Sequence, residues 1–343
     1  MKYDVKRFSL IGAAIAAAML GQGAALAQTP FYQGKTITMI VGYTPGGLYD
    51  TTTRLVSRHI PRHLAGNPTV IVQNMPGAGG TKALMHMYSV APKDGTVFGM
   101  VKRSYATDPM FETDAPEYDP NKVQPIGSTS AETSIVATWH SSKVKTFEDT
   151  FKHEMTVGAT SSTDGTVRYA QLVRRITPAK LKIVSGYPGG NDVTLAVERG
   201  EVDSKFGWSW GSVKSRAKEW LDQKKINIVL QMGLKKADDL PNVPFIMDYA
   251  KTEVDKQALE LVFAPTAFAW PIVAGPGVPA ERIAELRKAF DATMKDPEFL
   301  ADARKLDIEI EPIGGEEMAK VVARLSTFDK AAVARAKELT KPE

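Results

Sequence analysis

Two glycine-rich loops, each placed directly after a β-branched run, constrain this chain more than any other feature. The first run, Thr36–Val41, leads into Pro45-Gly46-Gly47, and the second, Thr69–Val72, leads into Gly77-Ala78-Gly79-Gly80. An apolar pattern with helical spacing follows each loop, as in the strand–loop–helix joints of α/β proteins. Such a joint exposes backbone N–H groups at a helix N-terminus, which suits an anion. Plain turn formation by the same glycines stays open as the alternative.

The first 27 residues have the pattern of a secretory signal peptide. Three basic residues precede the apolar stretch Phe8–Leu20, and Ala25-Leu26-Ala27 supplies a cleavage site. The apolar stretch is too short to span a bilayer. We therefore expect export, cleavage after Ala27 and a mature protein in the periplasm.

The chain contains no cysteine, which excludes disulfides, thiolate metal sites and a lipidated cysteine after the signal segment. We therefore expect no lipid anchor on the mature protein. Loss of the signal segment lowers the formal net charge from +4 to about +2, which favours neither nucleic acid nor a membrane surface as partner. The remaining residues, about 316, suffice for two domains.

Short β-rich runs alternate with helical patterns, which predicts an α/β fold with mostly parallel sheets. A second α/β unit begins near Ser134, and a proline-rich return at Ala264–Pro279 leads to a helical tail. Two apolar stripes mark that tail: Ile283, Leu286, Phe290 and Met294, and then Met318, Val321, Val322 and Leu325. If the tail packs back on the first unit, one lobe contains residues 28–131 and 266–343, and the other contains residues 132–265. Crossovers near Thr129–Ser134 and Ala264–Pro271 would then form a hinge.

Several motifs, in this order, resemble those of the tripartite tricarboxylate transporter substrate-binding receptors, the Bug-type family. They are Pro45-Gly46-Gly47 with Asp50, Asn74 with the GAGG loop at 77–80, Pro92-Lys93-Asp94-Gly95, and the segment GYPGGNDVTLAVERGEVD at 186–203. The resemblance covers nearly the whole mature chain. One segment departs from the family pattern: the loop Gly158–Thr166 is about two residues longer, and Tyr169 stands near the usual histidine.

The resemblance implies a two-lobed Venus-flytrap fold, similar to type II periplasmic binding proteins, in which an organic anion bridges the lobes. It also implies delivery of that anion to a membrane permease with a small and a large subunit. We expect no cofactor and no metal, and a monomeric receptor. The predicted ligand-binding residues are Tyr43, Thr44, Gly46, Gly47, Asp50, Ala78, Gly79, Ser161, Ser162, Thr163, Thr166, Arg168, Tyr187, Asp203 and Trp208.

Some of these residues have structural alternatives. Asp50 opens a helix, where a carboxylate favours the helix dipole whether or not it contacts a ligand. Asp203 could reach the cleft, cap a helix or form a salt bridge. Arg168 could pair with a second ligand carboxylate or remain solvated. Tyr187 and Trp208, like the other aromatic residues near loop edges, could line the cleft or belong to the core.

Two rival functions remain open. Ser209 lies in Gly207-Trp208-Ser209-Trp210-Gly211, which has the G-x-S-x-G pattern of an exported α/β-hydrolase. In that fold the catalytic histidine follows the serine, whereas all five histidines (59, 63, 86, 140 and 153) precede Ser209. The other rival is a binding module that serves a sensory partner instead of a permease. The ligand also stays open among di- and tricarboxylates, acidic amino acids and aromatic acids.

Overall fold

The structure is a computed structural model and describes residues 29–111, 118–159, 165–187 and 190–341. Its strands are β1 (Thr36–Val41), β2 (Thr69–Asn74), β3 (Val97–Met100), β4 (Gln124–Ser128), β5 (Ser134–Trp139), β6 (Met155–Ala159), β7 (Leu181–Ser185), β8 (Ser204–Ser209), β9 (Ile226–Met232), β10 (Pro271–Ala274) and β11 (Ile313–Gly314).

The helices of the same ranges lie between and after these strands. They are α1 (Leu48–His59), α2 (Thr81–Ser89), α3 (Asp108–Phe111), α4 (Gly165–Ile176), α5 (Gly190–Glu198), α6 (Trp210–Arg216), α7 (Lys218–Asp222), α8 (Glu253–Ala267), α9 (Ala280–Lys295), α10 (Pro297–Lys305), α11 (Gly315–Leu325) and α12 (Lys330–Thr340). Short 3₁₀ turns include Ile60–His63, Ala78–Gly80 and Arg103–Ala106.

Six strands form the first sheet, in the order β11-β4-β10-β3-β1-β2, and we call the lobe built on it lobe 1. β1 pairs in parallel with β2 and β3, so that Val41 lies opposite Asn74 on one side and Met100 on the other. Parallel neighbours end at the same edge of a sheet. The two glycine-rich loops and the turn after β3 therefore emerge together.

Five strands form the sheet of lobe 2, in the order β7-β6-β8-β5-β9. β6 pairs in parallel with β7 and with β8. The starts of α4, α5 and α6, which follow these three strands in the chain, therefore lie at one edge of the lobe 2 sheet.

Both sheets are mixed, where the sequence predicted mostly parallel ones. β10 runs antiparallel to β3 and β4, and β5 runs antiparallel to β8 and β9. The parallel pairs arise within local βαβ connections, whose crossovers fix the strand direction. The antiparallel pairs contain β5 or β10, which follow the inter-lobe crossovers, or β4, which precedes one. The direction of a strand that enters from the other lobe is not fixed by a local βαβ connection.

The two apolar stripes of the tail are helical, as predicted. Ile283, Leu286 and Phe290 of α9 are buried together with Leu55 and Val56 of α1 in the lobe 1 core. The last helix, α12, instead packs on α4 and α8. The tail therefore contacts elements of both lobes.

The proline-rich return is partly helical, which the sequence did not predict. α8 continues through Pro265 to Ala267. A proline this close to the C-terminal end removes one intrahelical hydrogen bond and leaves the preceding turns intact. Across the described ranges, no helix is both long and apolar enough to cross a membrane.

Candidate ligand-binding site

The first glycine loop is shaped by the carboxylate of Asp50. Asp50 is 3% exposed, and its Oδ2 accepts a hydrogen bond from the Gly46 N–H at 2.9 Å. Its carboxylate also accepts from Arg54 at 3.0 Å and from the Asn74 amide at 2.8 Å. Burial alone would raise the pKa of Asp50, but the hydrogen bonds from Arg54, Gly46 and Asn74 outweigh it and lower that pKa. Asp50 thus stabilises the conformation of the first glycine loop.

The N-terminus of α1 has no side-chain cap. Gly47 is the N-cap residue, and the first helical bond joins the Thr51 N–H to the Gly47 carbonyl at 2.9 Å. The N–H groups of residues 48–50 therefore have no acceptor within the helix. Gly47 has a φ of −77°, and a Cβ there would lie 3.9 Å from the Thr44 carbonyl oxygen, its nearest neighbour. The backbone conformation thus does not require glycine at this position, whereas Gly46 has a φ of +86°.

The second glycine loop packs directly against the first. The Asn74 amide donates to the Tyr43 carbonyl at 2.9 Å, which joins the two loops. A Cβ on Gly42 would lie 2.9 Å from the Gly80 Cα, and Gly80 itself has a φ of +97° beside the Tyr43 ring. The predicted residues Tyr43, Thr44, Gly46, Gly47, Ala78 and Gly79 therefore lie in two adjoining loops at one edge of lobe 1.

Aromatic side chains form a wall beside these loops. The Tyr43 and Tyr49 rings stack with centroids 4.0 Å apart, and Tyr49 meets the edge of Trp270 at 4.6 Å. Burial raises the pKa values of Tyr43 and Tyr49 above their ordinary value. Both hydroxyls are therefore protonated at neutral pH.

The lobe 2 residues of the predicted site are only partly described. Ser161, Ser162 and Thr163 lie outside the described residues. Thr166 lies in the first turn of α4, where its hydroxyl donates to the Phe206 carbonyl at 3.4 Å, and Arg168 is exposed on the same helix.

Tyr187 and Trp208 lie on the opposite side of the lobe 2 sheet from α4. Tyr187 approaches Gly158, where an added Cβ would meet its ring at 3.6 Å. Trp208 lies between Trp220, at a centroid distance of 6.1 Å, and the Lys205 Nζ, at 4.6 Å from its centroid. A cavity of 590 Å³ opens beside Trp208, Lys205 and the start of α5.

Asp203 lies at the other end of the lobe 2 sheet. It precedes β8, and its Oδ2 accepts from the Thr156 N–H at 2.8 Å and the Thr156 hydroxyl at 2.7 Å. Its Oδ1 accepts from Ser142 at 2.9 Å. The structure therefore places Asp203 at the opposite end of the sheet from the starts of α4, α5 and α6.

A cleft of 960 Å³ lies between the lobes, at the crossovers. Its walls include Tyr49 and Trp270 from lobe 1, Glu132 from the first crossover, and Trp210 from lobe 2. None of the twelve predicted ligand-binding residues that fall within the described ranges lines this cleft. The first glycine loop adjoins it, because Leu48 and Tyr49 at the start of α1 belong to its wall.

The sequence prediction missed the basic residues of this region. Arg103 lines the cleft and pairs with Glu132 at 2.9 Å, while Lys102 pairs with Asp108 at 2.6 Å and donates to the Thr81 hydroxyl at 3.2 Å. Both follow β3 directly, and charged residues just after a parallel strand were a signal that could have identified them. Glu132 lies 29 residues away in the chain, and no local pattern joins it to Arg103.

His59 and His63, which have the spacing of a zinc pair, lie away from the loops, where α1 meets α10. His63 contacts Asp296 at 2.8 Å. His59, Asp296 and Glu298 offer ligand atoms within 4.8 Å of one another, but the Arg62 guanidinium bonds to all three. This positive charge takes the place that an ion would need, so the cluster joins α1 to α10 as an ion-pair network.

A family model described as the tripartite tricarboxylate transporter family receptor matches residues 53–335. The chain belongs to this family. The resemblance found in the sequence motifs is thereby confirmed, and the protein is a solute-binding receptor, not an enzyme. The two sheets and their helices have the two-lobed fold of periplasmic binding proteins.

Three relatives illustrate the match. The receptor is 24% identical over 343 residues to the UPF0065 protein in gbd 5'region of Cupriavidus necator, with 94% of each chain covered. It resembles the crystal structure of a TctC solute-binding protein from Polaromonas with a TM-score of 0.69 and 17% identity, covering 90% and 98% of the two chains. A Rhodopseudomonas palustris protein solved with adipate has a TM-score of 0.56 and 18% identity, with 90% and 96% covered. At these identities, the two structural matches are evidence for the fold alone.

The G-x-S-x-G segment of this receptor has a structural role. The Ser209 hydroxyl accepts from the Ser212 N–H at 3.4 Å and caps α6. Trp210 donates from its indole N–H to Asp239 at 2.8 Å. Within the described residues, no histidine contacts Ser209. Because the chain belongs to a family of solute-binding receptors, the hydrolase alternative is wrong.

Proposed function

We propose that this receptor captures a small organic anion through a carboxylate, between its two lobes, and delivers it to a permease of one small and one large membrane subunit. The observation that carries the proposal is the uncapped N-terminus of α1, placed where the two glycine loops adjoin. Backbone N–H groups at a helix N-terminus favour an anion through hydrogen bonding and through the helix dipole.

The first loop is held in shape without using those donors. Asp50 takes the Gly46 N–H, and Asn74 fixes the neighbouring loop, so residues 47–50 present their N–H groups in a rigid frame. A preorganised set of donors binds an anion with little ordering cost. Hydrogen bonds to a charged group contribute about 1.5–3 kcal/mol each, so a few of them approach the ~8 kcal/mol of a micromolar complex.

Lobe 2 supplies the opposing side in this proposal. The start of α4, with Thr166 and Arg168, and the start of α5, beside Tyr187, lie at the carboxyl ends of β6 and β7. Ligands of open α/β sheets bind at such edges. The hydroxyl-rich segment Ser161, Ser162 and Thr163 precedes α4, and we propose that it contacts the ligand from this side.

The adipate-containing relative supports a carboxylate as the ligand class. Cleavage after Ala27 would place the mature receptor in the periplasm, as a monomer, with residues 28–131 and 266–343 in one lobe and 132–265 in the other. Domain closure about the two crossovers would then enclose the ligand.

A thermal-shift screen of the mature protein from Gln28 onward tests the ligand class. A ligand that binds the native state raises the melting temperature, so organic acids that bind should stand out from neutral analogues of the same size. Calorimetry on the acids that score should give micromolar affinity. A screen of mono-, di- and tricarboxylates in which none binds would contradict the proposal.

The partner requires a separate test. Radiolabelled ligand should enter proteoliposomes that contain the small and large permease subunits only when the loaded receptor is added outside. The sensory alternative would be favoured if transport did not depend on the receptor and if the receptor bound a sensory membrane protein.

A further inference from the structure

Arg103 stands where lobe 1, the first crossover and lobe 2 meet. It lies in the 3₁₀ turn after β3 and lines the inter-lobe cleft with Tyr49 and Glu132. Burial alone would lower the pKa of Arg103, but the Glu132 carboxylate and the Tyr169 and Tyr49 hydroxyls outweigh it and raise that pKa. Tyr169 belongs to α4 of lobe 2, so the guanidinium is close to both lobes.

Glu132 is part of the hinge itself. It follows β4 in the first crossover, and its backbone N–H donates to the Thr266 carbonyl of the second crossover at 2.7 Å. The neighbouring Ala131 N–H donates to the Glu311 carbonyl at 2.9 Å. Glu132 therefore lies where the two crossovers meet, at the point about which the lobes would rotate.

The Arg103–Glu132 pair is made by one nitrogen and one oxygen. Arg103 Nη1 lies 2.9 Å from Glu132 Oε2, and the two side chains are 45% and 18% exposed. Among the described residues, no other carboxylate forms a salt bridge with Arg103. Ion pairs this exposed contribute little to stability. A guanidinium binds a carboxylate more strongly when both of its parallel N–H groups are used.

We propose that Glu132 and a second carboxylate of the ligand compete for Arg103, so that this pair selects ligands with two carboxylates and couples their binding to the hinge. The inference rests on the proposed function, because the first carboxylate must bind at the start of α1. When a monocarboxylate binds, the ion pair between Glu132 and Arg103 stays intact. When a dicarboxylate binds, its second carboxylate accepts two hydrogen bonds from the Arg103 guanidinium and replaces Glu132 there. The Glu132 side chain then turns away from the added negative charge.

The experiment compares acids of equal carbon number, adipate with hexanoate and succinate with butyrate, by calorimetry. Arg103→Gln should weaken binding of the preferred dicarboxylate at least tenfold and leave its monocarboxylate partner within twofold. Glu132→Gln removes the competing charge and keeps the shape, so it should strengthen dicarboxylate binding at least threefold. Arg103→Lys should restore only part of the affinity, because an ammonium cannot form the two-point contact.

The double variant Arg103→Gln/Glu132→Gln provides the decisive arm. If the two groups compete, the gain from Glu132→Gln disappears once Arg103 is gone, whereas independent effects would add. The matched control is Arg199, an exposed arginine whose ion pair with Glu201, at 3.8 Å, lies outside the cleft lining, and Arg199→Gln should leave the preference for two carboxylates unchanged. A purely structural role of the pair would weaken both acids together in every variant.

Two failures are distinguishable. If neither acid of either pair binds the wild-type receptor, the proposed carboxylate function fails for these ligands. If the acids bind but Arg103→Gln weakens both equally, or Glu132→Gln weakens the dicarboxylate, the competition model is wrong while the receptor function stands.

Discussion

Gly47→Val is the substitution that most directly probes the start of α1. Gly47 is the N-cap residue with φ −77° and ψ 167°, which any residue can adopt, and an added Cβ would meet only the Thr44 carbonyl oxygen at 3.9 Å. The fold should therefore accept valine. The branched side chain would instead stand beside the N–H groups of residues 48–50, where we place the ligand carboxylate.

The expected loss follows from the bonds that valine blocks. A hydrogen bond to a charged group contributes about 1.5–3 kcal/mol, so loss of one such bond weakens binding about 10- to 100-fold. Calorimetry with an acid from the screen should show this rise in Kd. Urea unfolding of Gly47→Val should give a free energy close to wild type, because a less mobile unfolded chain offsets part of the lost N-cap preference.

Gly314 offers a matched control elsewhere in lobe 1. It is the N-cap residue of α11, with φ −72° and ψ 158° and no side-chain cap. Gly314→Val makes the same chemical change in the same backbone conformation, so it should reproduce any effect on stability and leave the Kd unchanged. If Gly47→Val is folded and its Kd stays within twofold of wild type, backbone recognition of the carboxylate at this loop is refuted.

Further predictions concern the groups around the site. Asp50→Asn should lower the free energy of unfolding by about 1–3 kcal/mol at neutral pH, because the Gly46 N–H and the other donors to Asp50 lose a charged acceptor. The difference in free energy of unfolding between this variant and wild type should shrink in acid, as pH falls through the lowered folded-state pKa of Asp50. Burial lowers the pKa of Lys205 to about 8 from 10.5, so the unfolded chain binds more protons between these values and stability should rise with pH there. Urea unfolding of Lys205→Met across that range should lack this rise. Asp203→Ala should destabilise the protein through the lost Thr156 bonds and leave the Kd unchanged, as calorimetry on the folded fraction would show. Small-angle scattering should record a smaller radius of gyration with saturating ligand if the lobes close, and an unchanged radius would argue against hinge motion.

Local patterns in the sequence predicted local structure well. The β-branched run at 36–41 is β1 with the same bounds, and Phe290 and Leu286 lie buried on α9 as the helical stripe required. These features depend on side-chain spacing within one element, which the sequence displays directly. Helix α8 was missed because Pro265 argues against a helix everywhere except near its ends.

Non-local pairings could not be predicted in the same way. The sequence does not show that β10 enters between β3 and β4, and this insertion makes the lobe 1 sheet mixed. Asp203 shows the same limitation for single residues. Its distance from the glycine loops depends on which end of β8 carries it, and the sequence pattern placed it only next to a strand.

The proposed site uses two kinds of recognition. Backbone donors at the start of α1 are fixed by Asp50 and Asn74, so they can recognise a carboxylate but cannot distinguish among ligands that carry one. Discrimination must then come from side chains that reach the rest of the ligand, and Arg103 with Glu132 is the charged pair placed to do so. It follows that changes in the glycine loop should weaken every ligand alike, whereas changes in the Arg103–Glu132 pair should reorder their affinities. Loss of binding for one acid with gain for another after a change at Gly47 would contradict this division.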